Sequence, residues 1–129
     1  MMKRIECYEI DTLDEFDNAV EHFVTKKKFK KLPALVEEVK NYLANGNIQG
    51  DLYFEIKEPR LIKIYKLRLP NPDANTGKRG GFRLIYAIET ELKIIVFATI
   101  YYKKEQANVS EAFVIGLLSG YFADFDNLG

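Results

Sequence analysis

The chain has 129 residues, 47% of them hydrophobic and 29% charged, and its 19 basic residues balance 19 acidic ones. This length and composition predict one domain spanning residues 1–129 and exclude a disordered chain. The single cysteine, Cys7, excludes an internal disulfide, and the longest apolar run, Ile94 to Tyr102, is too short to span a bilayer. We therefore expect a cytoplasmic protein that has no membrane segment.

Charge is segregated along the chain although the total is balanced. From Met1 to Thr25 there are seven acidic residues and two basic ones, whereas Lys57 to Arg83 contains eight basic residues and two acidic ones. A segment that is locally basic and is predicted to form a sheet indicates an anionic partner.

The first part of the chain predicts a short strand followed by a helical hairpin. Arg4 to Ile10 alternates loosely, as a strand does, and Thr12 to Glu15 matches a capping box in which Thr12 begins a helix. A basic junction, Lys26 to Lys31, separates this helix from a second one, which has Pro33 in its first turn and ends at Asn45-Gly46. Apolar residues recur at helical spacing in both helices: Leu13, Phe16, Val20, Phe23 and Val24, then Leu32, Leu35, Val36, Val39, Tyr42 and Leu43.

Three successive strands are predicted between Leu61 and Tyr102, after an irregular stretch from Asn47 to Arg60. Their sequences are IKIYKLRLP, GGFRLIYAIE and LKIIVFATIYY, and the loop NPDANTGKRGG joins the first two. Because side chains alternate between the faces of a strand, the first two strands each have one apolar face and one partly charged face. The apolar faces carry Tyr65, Leu67 and Leu69, and Phe82, Leu84, Tyr86 and Ile88; the opposite faces carry Ile62, Ile64, Lys66 and Arg68, and Arg83, Ile85, Ala87 and Glu89.

The last predicted element is a helix that begins near Asn108, which we expect to cap it, and contains the segment AFVIGLLSGYF. This helix is apolar nearly all round, so more than one side must be covered, by the fold or by a partner, and we favour the fold. Together the elements predict an α+β domain: an N-terminal helical hairpin packed on a mostly antiparallel twisted sheet of about four strands, with a C-terminal helix. The hairpin is expected to cover the face that carries Tyr65, Leu67, Leu84 and Tyr86.

Two features of the predicted sheet suggest an anion site, and each has a structural alternative. Lys66, Arg68 and Arg83 share one face if their strands pair, which makes either an anion site or an ordinary solvated face. The loop around Lys78 and Arg79 is either a hairpin loop whose glycines permit positive φ or a cradle for RNA phosphates. It does not match the phosphate-binding loop of nucleotide hydrolases, which needs Ser or Thr where Arg79 stands.

Residues at the end of the last strand extend the candidate site. Lys103 and Lys104 follow the strand and would enlarge the basic patch. Tyr101 offers an aromatic ring that could stack on a base, with packing in the core as the alternative. The chain has one histidine and one cysteine, so no zinc site or Cys–His catalytic arrangement is indicated, and we expect no metal and no cofactor.

Three segments within about Leu61 to Leu118 resemble the RelE/ParE superfamily of type II toxin–antitoxin toxins, especially its HigB-like or phage-type branch. They are IYKLRLP, GKRGGFRLIYAIE and IIVFATIYYKKEQANVSEA. That branch typically shows a K-x-R strand, a GK-[S/R]-GG-[F/Y]-R-[V/L]-IY strand entry, and a Y-x-K-x-[D/E/Q] strand end before the last helix. The resemblance implies a single RelE-like toxin domain that cleaves mRNA on the ribosome without a metal, and a cognate antitoxin as its protein partner. A ParE-like inhibitor of DNA gyrase and a non-catalytic module that binds an antitoxin or RNA are the alternatives with the same fold.

The resemblance also assigns roles to individual residues. Lys66 and Arg68 match the strand bases, Arg83 matches the arginine after the Gly-aromatic pair, and Lys103 matches the basic residue that closes the last strand; these four are the expected catalytic residues. RNA contacts are expected from Lys63, Lys78, Arg79, Tyr101 and Lys104. RelE-like nucleases often carry an arginine where Lys103 stands and an aromatic residue near Val109, so we expect a weaker nuclease than its arginine-bearing relatives.

Overall fold

A mixed β-sheet lies between two helical layers in the part of the chain that the structure describes, residues 7–75 and 77–128 of a computed structural model. The elements, in chain order, are β1 (Glu9–Thr12), α1 (Asp14–Thr25), α2 (Leu32–Ala44), β2 (Asp51–Ile56), β3 (Ile62–Leu69), β4 (Phe82–Glu89), β5 (Ile94–Tyr102) and α3 (Glu111–Leu128), with a short 3₁₀ turn at Pro72–Ala74 before β4. The α+β class predicted from the sequence is confirmed.

The strands pair in the order β1-β5-β4-β3-β2. Three neighbouring pairs are antiparallel, whereas β1 runs parallel to β5 at the edge of the sheet. Within the described residues the sheet has five strands rather than about four, because β2 forms at the other edge, where we predicted an irregular stretch. The first strand lies later than predicted, and residues 4–6 of the predicted strand fall outside the described part of the chain.

The helical hairpin of α1 and α2 packs on one face of the sheet. Phe16 and Phe23 of α1 meet Phe97 and Phe82 edge to face, with ring centres 5.3 and 5.2 Å apart. Burial of each such large apolar side chain contributes about 1.5–3 kcal/mol to the packing of the hairpin on the sheet. The buried residues on this side are Tyr8, Phe16, Phe23, Leu32, Val36, Val39, Leu43, Leu67, Leu69, Phe82, Leu84, Tyr86, Ile88, Ile95, Phe97, Ile100 and Tyr102.

The face assignment made from the sequence is confirmed. Leu67 and Leu84 lie beneath the hairpin, and Tyr65 packs against the same core. Lys66 and Arg68 alternate with Leu67 along β3, so they lie on the opposite face. The two basic residues are therefore on the side of the sheet that α3 covers.

The C-terminal helix α3 covers part of that second face. Val114, Leu118 and Phe122 are buried against residues of β3, β4 and β5. The fold buries one side of the helix rather than both sides, which we had favoured, because Phe113 and Ile115 remain 42% and 39% exposed. Among the described helices, none combines the length and the apolar character needed to cross a bilayer.

Two helix starts differ from the prediction. Thr12 does not cap α1, because it is the last residue of β1, and no side chain donates or accepts a capping hydrogen bond at Leu13, where the helix begins. Pairing of this segment with β5 takes the place of the capping box. Asn108 does not cap α3; instead the Ser110 Oγ accepts a hydrogen bond from the Phe113 N–H at 3.1 Å.

A β-bulge in β5 changes which side chains face α3. Tyr86 pairs with Phe97 and Ile85 pairs with Thr99, so Ala98 is an extra residue in the ladder. The extra residue shifts the alternation by one position. As a result Tyr101, beyond the bulge, packs in the core on the α3 side, whereas Phe97, before it, packs under the hairpin.

Candidate functional site

The structure brings together the four residues that we predicted to be catalytic. Arg68 on β3 lies directly opposite Arg83 on β4, Lys66 precedes Arg68 by two residues on the same face, and Lys103 follows the end of β5. Lys103, Arg83 and Arg68 are all close enough to Lys66 to lower its pKa. We call Lys66, Arg68, Arg83 and Lys103 the basic cluster.

Lys66 is the best-enclosed lysine of the basic cluster. Its Nζ donates a hydrogen bond to the Asn108 Oδ1 at 2.8 Å and lies 4.1 Å from the centre of the Tyr53 ring, a cation–π contact. Burial lowers the pKa of the Lys66 ammonium below 10.5, and repulsion from Lys103, Arg83 and Arg68 lowers it further. Lys66 therefore gives up its proton more readily than an ordinary surface lysine.

Tyr53 reaches Lys66 because of a second β-bulge. In the β2–β3 ladder Leu52 pairs with Tyr65 and Phe54 with Ile64, which leaves Tyr53 as the extra residue. Its ring packs on the α3 side and its hydroxyl donates to the Val109 carbonyl at 2.7 Å. Sequence reasoning missed this residue because it lies in the stretch that we predicted to be irregular, although the segment DLYFEI is rich in strand-forming residues.

Arg83, one of the four predicted catalytic residues, is buried and hydrogen-bonded to the β3–β4 loop. It is only 6% exposed. One guanidinium nitrogen donates to the carbonyls of Lys78 and Phe82 at 2.8 and 3.2 Å, and the other donates to the Arg79 carbonyl at 3.1 Å. Arg83 thus holds the β3–β4 loop in place, and its contribution to the cluster is a fixed charge beneath that loop.

In the β3–β4 loop, the carbonyl groups of Lys78 and Arg79 point at Arg83 and the backbone turns sharply. Asn75 has a positive φ of 55°, and the Gly80 N–H donates to the Gly77 carbonyl at 3.2 Å. The side chains of Lys78 and Arg79 are exposed, so they are available to an anion. Thr76, at the start of the predicted cradle, lies outside the described residues.

Lys103 and Tyr101 both contact the linker between β5 and α3. The Lys103 Nζ donates to the Ala107 carbonyl at 2.8 Å, and its backbone N–H donates to the Gly81 carbonyl at 2.9 Å. The Tyr101 hydroxyl donates to the Asn108 Oδ1 at 3.3 Å. Burial raises the pKa of this hydroxyl. Lys104 is exposed in the turn that follows.

Two expected RNA contacts need correction. The Tyr101 ring is only 3% exposed, so it cannot stack on a base in this structure; core packing, the alternative, is what occurs. Lys63 lies on the hairpin side of the sheet, because it alternates with Ile64 and is paired with Ile88, which belongs to the hairpin-side core. The β3–β4 ladder has no bulge, so faces alternate at every residue of β3 and Lys63 does not share a face with Lys66.

A cavity of about 370 Å³ opens beside the cluster, between α1, the end of β5 and the start of α3. Tyr101 lines its inner wall, and Glu15, His22 and Glu105 lie among its polar side chains. Glu105 is also paired with Lys27 at 2.8 Å. This lining offers carboxylates rather than cations, so the cavity does not suit an anion and is not part of the basic cluster.

In residues 7–75 and 77–128, no group of three or more His, Cys, Asp and Glu side chains is placed to hold a metal ion. No protein-family model matches the chain, and comparison with curated proteins finds no match.

Proposed function

We propose that this chain is the toxin of a type II toxin–antitoxin system, with a RelE-like domain of the HigB-like or phage-type branch, and that it cleaves mRNA on the ribosome. The observation that carries the proposal is the environment of Lys66. A lysine whose pKa is lowered by burial and by three further cations combines a proton acceptor with an anion site. The exposed side chains of Lys78 and Arg79 on the adjoining loop extend that positive surface.

The proposed reaction needs an acid, a base and stabilisation of negative charge, all of which cationic side chains can supply. Lys66 in its neutral form accepts the proton of the ribose 2′-hydroxyl, whose oxygen then bonds to the adjacent phosphorus. The bond from phosphorus to the 5′-oxygen breaks, and charged Lys103 donates a proton to that leaving oxygen. The products are a 2′,3′-cyclic phosphate and a 5′-hydroxyl end.

Arg68 is the residue best placed to stabilise the charge that develops on the phosphate. It is exposed, whereas its cross-strand neighbour Arg83 is committed to the loop carbonyls. A guanidinium can grip a phosphate with two parallel hydrogen bonds. Removing one such contact typically slows a reaction about 10²–10³-fold.

The partners in this proposal are the ribosome with its mRNA and a cognate antitoxin protein, all in the cytoplasm. The exposed basic side chains of Arg68 and Lys103 favour an acidic protein partner, and Phe113 and Ile115, on different sides of α3, add apolar surface for such a partner to cover. Purification of the complex from the native host tests this. Recovery of the chain without any small acidic or DNA-binding protein contradicts it.

The function is tested by induced expression followed by mapping of RNA ends. We expect translation to stop and new 5′-hydroxyl ends to accumulate in ribosome-bound messages. Arg68→Ala should lower cleavage about 10²–10³-fold, while Lys63→Ala, on the opposite face of the same strand, should leave it unchanged. Arrest of replication with DNA damage instead indicates a gyrase inhibitor, and unchanged growth indicates a module without catalysis; either result overturns the proposal.

A further inference from the structure

Lys66 and Tyr101 both donate a hydrogen bond to the same atom, the side-chain oxygen of Asn108. This Oδ1 accepts a hydrogen bond from the Lys66 Nζ at 2.8 Å and another from the Tyr101 hydroxyl at 3.3 Å. An amide oxygen has two lone pairs, so both bonds can be made at once. Asn108 lies in the linker between β5 and α3, and it was predicted only as a helix cap, a role that Ser110 has instead.

The linker on either side of Asn108 is tied to the sheet. The Lys103 Nζ donates to the Ala107 carbonyl at 2.8 Å, and the Tyr53 hydroxyl donates to the Val109 carbonyl at 2.7 Å. The carbonyl of Asn108 itself accepts from the Gln106 Nε2 at 3.0 Å. The contacts at Ala107 and Val109 therefore hold the backbone on both sides of Asn108 against the sheet, independently of its own contact with Lys66.

We propose that Asn108 is a positioning residue of the basic cluster, which holds the Lys66 Nζ at a fixed point where an anion can meet it together with Arg68 and Lys103. The amide oxygen can accept a hydrogen bond from this nitrogen in its charged form, which meets the anion, and in its neutral form, which accepts a proton. A lysine side chain has a flexible four-carbon stem and does not by itself keep one position. Asn108 restrains it from one side and the Tyr53 ring from the other. Because the amide is neutral, it restrains the ammonium without cancelling its charge. The inference rests on the proposed function only for the identity of the anion, an RNA phosphate.

The residue type is what allows this role. An aspartate at position 108 would accept the same two hydrogen bonds but would place a negative charge in the cluster and repel a phosphate. An alanine would remove the acceptor and free the lysine. The two replacements should therefore shift the pKa of Lys66 in opposite directions, and both should weaken anion binding.

NMR of the Lys66 side chain in the full-length protein tests the proposal without RNA. Asn108→Ala should lower the pKa of Lys66 below its wild-type value, because the charged form loses a hydrogen bond, and Asn108→Asp should raise it. The affinity for inorganic pyrophosphate, followed in the same spectra, should fall about two- to tenfold in Asn108→Ala, the equivalent of one net hydrogen bond. It should fall further in Asn108→Asp.

Gln106→Ala is the matched control, because Gln106 supports the same linker without touching the ammonium. We expect it to leave both the Lys66 titration and the pyrophosphate affinity at their wild-type values. Titration of Lys66 in Asn108→Ala that coincides with the wild type, or an equal shift in Gln106→Ala, overturns the proposal. If Asn108→Ala does not fold, the upward shift in the isosteric Asn108→Asp decides the question. RNA-end mapping tests the proposed function separately, so the two can fail independently.

Discussion

Arg68 and Arg83 are paired across neighbouring strands, yet their surroundings are opposite in kind. Like charges directly opposite each other on a sheet are destabilising. Here Arg83 is buried and hydrogen-bonded to loop carbonyls, which offsets the repulsion, whereas Arg68 is exposed. Of the two arginines, Arg83 is committed to the β3–β4 loop and Arg68 is open to solvent.

The anchoring role of Arg83 can be separated from its charge by two substitutions. Arg83→Lys keeps the charge but cannot hold three carbonyls with a planar fork, and Arg83→Ala loses both. We expect each variant to lose about 1–3 kcal/mol of unfolding free energy. Amide hydrogen exchange at Lys78–Gly81 should become faster in both. Wild-type protection of the loop in Arg83→Lys would show that charge alone holds it.

Lys66 makes the stability of the protein depend on pH. Its pKa is lowered from 10.5, chiefly by burial, so the unfolded chain binds this proton more tightly than the folded one. The penalty is fully present at neutral pH and disappears as the pH rises through the folded pKa towards 10.5. We expect Lys66→Met to raise the free energy of unfolding at neutral pH, by an increment that shrinks in this range.

Urea unfolding of the wild type and of Lys66→Met, from neutral pH to about pH 10.5, measures that increment. Lys63→Met is the control, because Lys63 lies on the same strand but on the opposite face, away from the basic cluster. It should show no comparable trend. An increment for Lys66→Met that stays constant with pH contradicts the assignment of Lys66 to a cationic, partly buried site.

At the level of elements, the β3–β4 loop depends on a close approach at Gly81. A Cβ at this position would lie 2.0 Å from the Leu69 carbonyl oxygen, and the carbonyl of Gly81 accepts from the Lys103 N–H. Gly77, in the same loop, has open space around it. Gly81 therefore lies in close contact with Leu69 at the end of β3 and with Lys103 just after β5. Gly77 lies in a part of the loop that has open space around it.

We expect Gly81→Ala to destabilise the protein by about 1–3 kcal/mol or more, because backbone atoms must move to relieve the clash. Gly77→Ala should change the free energy of unfolding by less than about 0.5 kcal/mol, as an unobstructed surface substitution does. Thermal or chemical unfolding of the two variants makes the comparison. Equal stability of the two would mean that the strands do not meet closely at Gly81.

The faces of β3 and β4 were predictable because their ladder has no bulge, so the two-residue alternation holds from Lys63 to Leu69. The same rule fails for β2, because the bulge at Tyr53 breaks the alternation. Neither the strand nor the contact of Tyr53 with Lys66 could therefore be predicted from the sequence. Asn108 was not predictable as a partner of Lys66, because an asparagine before a helix has the same sequence signal whether it caps the helix or not. The basic cluster could be predicted from strand positions. The neutral residues that contact Lys66, Asn108 and Tyr53, could be identified only from the structure.

For the whole molecule, the sheet separates two cores, and the smaller one depends on α3. Leu118 is 1% exposed within it, whereas Ile115 on the same helix is 39% exposed. We expect Leu118→Ala to cost about 2–5 kcal/mol of unfolding free energy, and Ile115→Ala much less. Chemical denaturation measures both. A small loss for Leu118→Ala would show that α3 is not part of the cooperatively folded unit.

The parallel pairing of β1 with β5 joins the first and the last of the described strands in sequence order. Contacts between residues far apart in sequence slow folding, because the intervening chain must be ordered first. During synthesis, α1 and α2 are made before most of the sheet that they cover, and among the described strands β1 has no pairing partner until β5 follows. A newly made chain therefore acquires its basic cluster only after β5 and Lys103 have been synthesised, so its charge is gathered into one site late in translation.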